Sequence, residues 1–136
     1  AKKIEHIHCV DFSKNMLYYL QQYAAENKLE NITTHCLSWY DSWLEIPKTD
    51  IVIASRSMEV SDMKKALQKL DAMAKKRVYL SYKAGGSFLP KEITQLLDTK
   101  IVPKPDYIYV LNILYSMGIY ASVDFIESES KGIIKG

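Results

Sequence analysis

The stretch HIHCVDFSKNML, residues 6–17, sets Asp11 at the end of an apolar strand and just before a helix start. A carboxylate is costly to desolvate there. Asp11 is therefore either a turn residue bonded to the next few backbone groups, or a group that meets a ligand. Ser38-Trp39, Ser55-Arg56 and Tyr82-Lys83 also fall just past apolar runs. A guanidinium such as that of Arg56 can grip a carboxylate or phosphate in bidentate fashion. As a solvent-facing loop charge it would contribute little. His6, His8 and Cys9 with His35 and Cys36 raise the question of zinc. His6 and His8 point the same way on a strand, but Cys9 points the other way, and no CxxC or HxxxH spacing occurs. We expect no metal site, and no Cys–His nucleophile pair, because nothing orients the base.

Composition narrows the remaining classes. The chain has 136 residues, 48% of them hydrophobic and 25% charged, enough for one sizeable core. A net charge of +2 implies neither nucleic acid nor an anionic membrane as partner. Two cysteines in apolar runs, Cys9 and Cys36, suggest buried, reduced thiols and a cytoplasmic location. No apolar run reaches membrane-spanning length, and no signal peptide opens the chain.

The elements that must position these residues come from periodicity. Residues 4–11 read as a strand, with Ile7 and Cys9 on one face and His6, His8 and Val10 on the other. Ser13 can cap a helix carrying Met16, Leu17, Leu20, Tyr23 and Ala24 at helical spacing, which ends near Asn27. Residues 31–37 form a second strand and 50–55 a third, whose continuous apolar run suits a parallel strand covered on both faces. A helix starts at Ser61 or Asp62, carries Met63, Ala66, Leu67, Leu70, Met73 and Ala74, and is closed by Lys75, Lys76 and Arg77. Residues 77–82 form a fourth strand, and Gly85-Gly86 loosens the chain after it. A short helix starts at Pro90, and a longer one over 107–117 lies between an Asp106 cap and Gly118. Residues 120–128 alternate as a fifth strand. Strands alternating with helices predict a mostly parallel α/β sheet, with ligands outside the carboxyl ends of the strands. Asp11, Ser38-Trp39, Ser55-Arg56 and Tyr82-Lys83 all belong to such ends.

With that layout in place, CVDFSKNML resembles the second-strand region of class I S-adenosylmethionine-dependent methyltransferases, where a strand ends in an acidic residue ahead of a capped helix. LENITTHCLSW, TDIVIASRSM and KKRVYLSY are similar to that family's third, fourth and fifth strands, in order and spacing. PDYIYVLNILYSMGIYASVDFIES is similar to its last helix and sixth strand. The resemblance implies a single methyltransferase-like domain over 1–136, with a Rossmann-like, mostly parallel sheet. It implies S-adenosylmethionine as cofactor and methyl transfer to an acceptor it does not identify. Asp11 would bond both ribose hydroxyls, because a carboxylate can accept two donors at once. Phe12 would pack on the adenine ring. Ser38 stands where the family often has an Asp bonding the adenine amino group, and Trp39 could stack on the base. Ser55 and Arg56 complete the expected cofactor-binding set.

The glycine-rich loop and first strand of the family are not found in this sequence, so the resemblance implies an incomplete sheet, truncated at its N-terminal side. The second and fourth family strands would then lose their shared neighbour and expose unpaired edges. We expect those edges to favour a homo-oligomer. Two rivals remain: a non-catalytic, methyltransferase-like module that binds a nucleotide or a protein partner, and a dinucleotide-binding domain that would take NAD.

Overall fold

The structure is a computed structural model, and it describes residues 3–84, 96 and 106–127. Its elements run β1 (Ile7–Asp11), α1 (Lys14–Glu26), β2 (Ile32–Cys36), β3 (Thr49–Ala54), α2 (Met63–Met73), β4 (Ala74–Leu80) and α3 (Tyr107–Ser116). This is a mixed α/β fold. β1 and β2 pair in parallel, with Ile7 opposite Ile32, Cys9 opposite Thr34 and Asp11 opposite Cys36. β3 and β4 pair as a second two-stranded sheet, and no ladder joins the two sheets among the described residues. No described helix is long and apolar enough to cross a membrane.

The chain divides into two compact units, Ala1–Val52 with Ala72–Arg77, and Ile53–Asp71 with Val78–Gly136. In the first, α1 packs on β1 and β2. Leu17 and Ala24 are buried, and Gln21 between them donates to Thr34 Oγ1 at 2.8 Å. These three share one helix face by their spacing. Thr34 pairs with Cys9, so α1 covers the Ile7–Cys9 face of the sheet and leaves the histidine face on the other side. Met16, Tyr19 and Tyr23 lie exposed along a neighbouring stripe of α1. In the second unit the buried apolar residues are Ala54, Met58, Met63, Ala66, Leu67, Leu70 and Val110, four of them from the single stripe of α2.

The helix ends match the sequence closely. Ser13 Oγ accepts from Met16 N–H at 3.3 Å, Asp62 Oδ1 from Lys65 N–H at 3.1 Å, and Asp106 Oδ1 from Ile108 N–H at 3.1 Å. Both α1 and α3 end in a Schellman motif. Leu29 N–H bonds Ala24 O at 2.8 Å and Lys28 N–H bonds Ala25 O at 3.2 Å. Ile119 N–H bonds Leu114 O at 2.9 Å and Gly118 N–H bonds Tyr115 O at 3.0 Å. The left-handed residue is Gly118 (φ 81°) in one motif and Lys28 (φ 53°) in the other. A side chain in that region costs about 1 kcal/mol, which glycine avoids. Lys28→Gly is therefore expected to stabilise the protein by about 0.5–1 kcal/mol, after allowance for the freer unfolded chain. Gly118→Ala should cost about 1 kcal/mol through φ alone, since an added Cβ would meet nothing within 4 Å. Urea midpoints of the two variants, moving in opposite directions, check both.

Three expectations change. Lys75, Lys76 and Arg77 do not close α2; they lie in β4, which starts directly at Ala74. Lys76 Nζ there stands 4.0 Å from Asp50 Oδ2 of β3, an ion pair that a helical ending would not offer. Residues 120–127 are irregular and exposed rather than a strand. Their alternation is real, but a strand needs a neighbour to take its backbone bonds, and no described residues pair with them. Cys36 is exposed and Cys9 half-buried, both free, so only Cys9 approaches the expected buried thiol. The helix from Pro90 and the Gly85-Gly86 loop lie outside the described residues, apart from helical Leu96.

Candidate functional site

The parallel register fixes the first site. Because Asp11 stands opposite Cys36, β1 and β2 end at one edge, and their next residues emerge side by side. Leu37 N–H extends the ladder to Asp11 O at 3.1 Å, and Cys36 Sγ lies 3.7 Å from Phe12 O. The backbone of Asp11 and Phe12 is thereby held against Cys36 and Leu37. Ser38 and Trp39 come directly after. Four of the six expected cofactor-binding residues thus gather at the carboxyl edge of one strand pair.

Asp11 turns out to be a turn residue, at least with one oxygen. Its Oδ1 accepts from Ser13 N–H at 2.8 Å, an Asx turn leading into the Ser13 cap of α1. That bond uses one of about four lone-pair sites on a carboxylate. Oδ2 has no partner among the described residues, and Asp11 is half-buried. The turn fixes the carboxylate without consuming it. Phe12 beside it is 77% exposed, with its ring uncovered.

Ser38 is more heavily engaged. Its N–H donates to Asp41 Oδ2 at 2.7 Å, its Oγ accepts from Tyr40 N–H at 3.2 Å, and its carbonyl accepts from Trp43 Nε1 at 3.0 Å. The 38–43 segment is a self-bonded turn, and the Ser38 hydroxyl keeps its own hydrogen and one lone pair to offer outward. Trp39 and Trp43 stack with ring centroids 5.1 Å apart and planes 35° from parallel. Trp43 was not among the expected site residues. The four-residue spacing of the two tryptophans was the available signal, but that spacing implies a contact only once the segment is known to turn.

Ser55 and Arg56 lie in the second unit, just past β3, and both are exposed. Arg56 adopts φ 56°, and its N–H donates to Ser81 Oγ at 3.0 Å. Ser81 N–H in turn donates to Ala54 O at 3.0 Å, so Ser81 stitches both sides of Ser55. Tyr82 is next in the chain. Burial, and then Glu59, Tyr109 and Asp106, push its phenol above the ordinary range, so it remains protonated at neutral pH and suits a donor rather than a base. Lys83 Nζ lies 3.7 Å from Glu59 Oε1. Among the described residues, no three His, Cys, Asp or Glu side chains are grouped to hold a metal ion.

The class defined by these features is a mixed α/β protein whose β–α–β unit presents a fixed carboxylate and aromatic rings at the carboxyl edge of a parallel pair. A Haemophilus influenzae protein described as uncharacterized is 40% identical over 124 residues, which make up 91% of this chain and 46% of that relative. The chain therefore spans about half the length of the curated relative it matches. No family model and no solved structure matches the chain.

Proposed function

We propose that the chain is part of a Rossmann-like, S-adenosylmethionine-dependent methyltransferase of the cytoplasm, and that the β1–β2 edge receives the adenosine part of the cofactor. The observation that carries this reading is Asp11. It is a half-buried carboxylate at the end of a parallel strand, with one oxygen fixed by Ser13 N–H and the other facing no protein donor among the described residues. A ribose diol offers the two donors such a group can accept. Phe12 supplies an open apolar ring for the base, and the Trp39–Trp43 pair supplies a second aromatic surface. Strand pairing is compatible: β1–β2 and β3–β4 correspond to neighbours in the family sheet order 3-2-1-4-5, as its second with third and fourth with fifth strands.

The fit is uneven. Asp11 and Phe12 fit an adenosine. Ser38 already accepts the Tyr40 N–H, so it suits the adenine amino group less well than an Asp would. Ser55 and Arg56 are assigned to the cofactor by the resemblance alone. Bound there, the cofactor would supply a methyl group on a sulfonium that is already a good leaving group. The residues of this chain would then hold, align and shield it, and no general base is required of them.

Titration calorimetry with S-adenosylhomocysteine tests the reading. Micromolar binding, weakened at least tenfold by Asp11→Ala, supports it. No saturation at millimolar ligand overturns it in favour of a non-catalytic module. Saturation by NAD alone points instead to a dinucleotide site. The expected homo-oligomer rests on open strand edges and is checked by sedimentation. A species heavier than the monomer that dissociates on dilution is expected; a monomer at every concentration counts against it.

A further inference from the structure

The sheet face opposite α1 carries all three histidines of the chain. His8 stands on β1, His6 directly precedes that strand, and His35 lies on β2. His8 Nδ1 is 3.0 Å from His35 Nε2, with the ring centroids 5.3 Å apart. The His6 ring centroid is 4.6 Å from that of His8, and His6 Nε2 bonds Thr33 Oγ1 at 2.7 Å. Three imidazoles therefore form one row across a parallel strand pair.

We infer that this row is a proton-sensitive latch on the β1–β2 pairing, closed when the imidazoles are neutral and opened by acid. The chemistry lies in the short N···N contact. One nitrogen must donate and the other accept, so the His8–His35 pair is satisfied with one proton between them. A single added charge can be shared. A second would set two N–H donors face to face. Charge on His6, whose ring is tilted 52° from that of His8 and close beside it, opposes charge on His8 directly. The groups acting on His8 are burial, His6 and His35, and all three hold its pKa below the ordinary imidazole value. No carboxylate is among them, so none of the described residues offsets a charge on His8. α1 packs on the opposite face and contributes the neutral Gln21 there.

Linkage gives the sign. A histidine with a lowered folded pKa binds fewer protons folded than unfolded. Its contribution is complete above the unfolded value, near 6.5, and is lost as pH falls below it. Each proton of difference lowers the folding equilibrium constant about tenfold per pH unit. The β1–β2 pair also holds Asp11 against Cys36 and Leu37, so acid would loosen that edge, whatever ligand it takes.

Proton NMR titration of the three imidazoles in the folded protein, from pH 7.5 to 5, tests the latch directly. The expected result is coupled curves, with His8 titrating below 6.5 and moving up in His35→Gln. A urea-unfolding series over the same range should lose folding constant as pH falls below 6.5, by at most about tenfold per pH unit for His8 and only down to its folded pKa, and His8→Gln should flatten that loss. Independent curves, with His8 at the ordinary imidazole value and unchanged by His35→Gln, would overturn the inference. If His35→Gln does not fold, the wild-type curves decide alone: coupling supports the latch and independence removes it.

Discussion

Asp11→Asn is expected to weaken S-adenosylhomocysteine binding at least tenfold while leaving the urea midpoint nearly unchanged. The prediction separates two roles that one side chain holds. Asparagine retains an Oδ1 acceptor, so the 2.8 Å bond from Ser13 N–H and the entry into α1 survive. What it loses is the charge and the second acceptor oxygen. Hydrogen bonds to a charged group contribute about 1.5–3 kcal/mol, so one lost partner corresponds to roughly a 10- to 100-fold loss of affinity. Asp11→Ala removes both roles and should add about 1 kcal/mol of destabilisation from the broken turn. Calorimetry and urea unfolding on the two variants separate these effects. If the asparagine variant binds as tightly as wild type, Asp11 is a turn residue and nothing more.

Leu67→Ala carries the largest expected loss of stability. Leu67 is 2% exposed, on the buried stripe of α2 with Met63, Ala66 and Leu70. Truncating such a side chain removes transfer energy and leaves a cavity, together about 2–5 kcal/mol. Against a typical total of about 5–15 kcal/mol this is a large fraction. The melting temperature should fall by about 10 °C or more. Gln68→Ala, on the exposed side of the same helix, should shift stability by less than about 0.5 kcal/mol. Thermal unfolding followed by circular dichroism distinguishes the two. Similar shifts for both would mean that the α2 stripe is not enclosed as described.

The unequal cores give these predictions their contrast. The first unit buries Leu17, Ala24 and Ile46, while every residue of β1 is only half-buried. Met16, Tyr18, Tyr19 and Tyr23 of α1 remain largely in solvent.

Local structure was legible in the sequence wherever the determining groups are neighbours along the chain. The Ser13, Asp62 and Asp106 caps, the Gly118 ending and the α2 stripe each depend on residues within about one turn of one another. The strands were legible as β1 to β4, with shifted ends. Residues 120–127 were not, because alternation describes a face but supplies no partner for the backbone. The Lys28 ending of α1 was equally hidden, since a lysine carries no signal for a left-handed backbone.

By itself the sequence determined an α/β chain with an acid at the end of its first strand and a capped helix behind it, because those features are written in periodicity and in short-range hydrogen bonding. Only the tertiary structure decided what lies beside what. The parallel register set Asp11 opposite Cys36 and brought His8 into diagonal contact with His35, groups 25 and 27 residues apart in the chain. Such pairings depend on how strands meet across a sheet, and a one-residue slip would send each side chain to the opposite face.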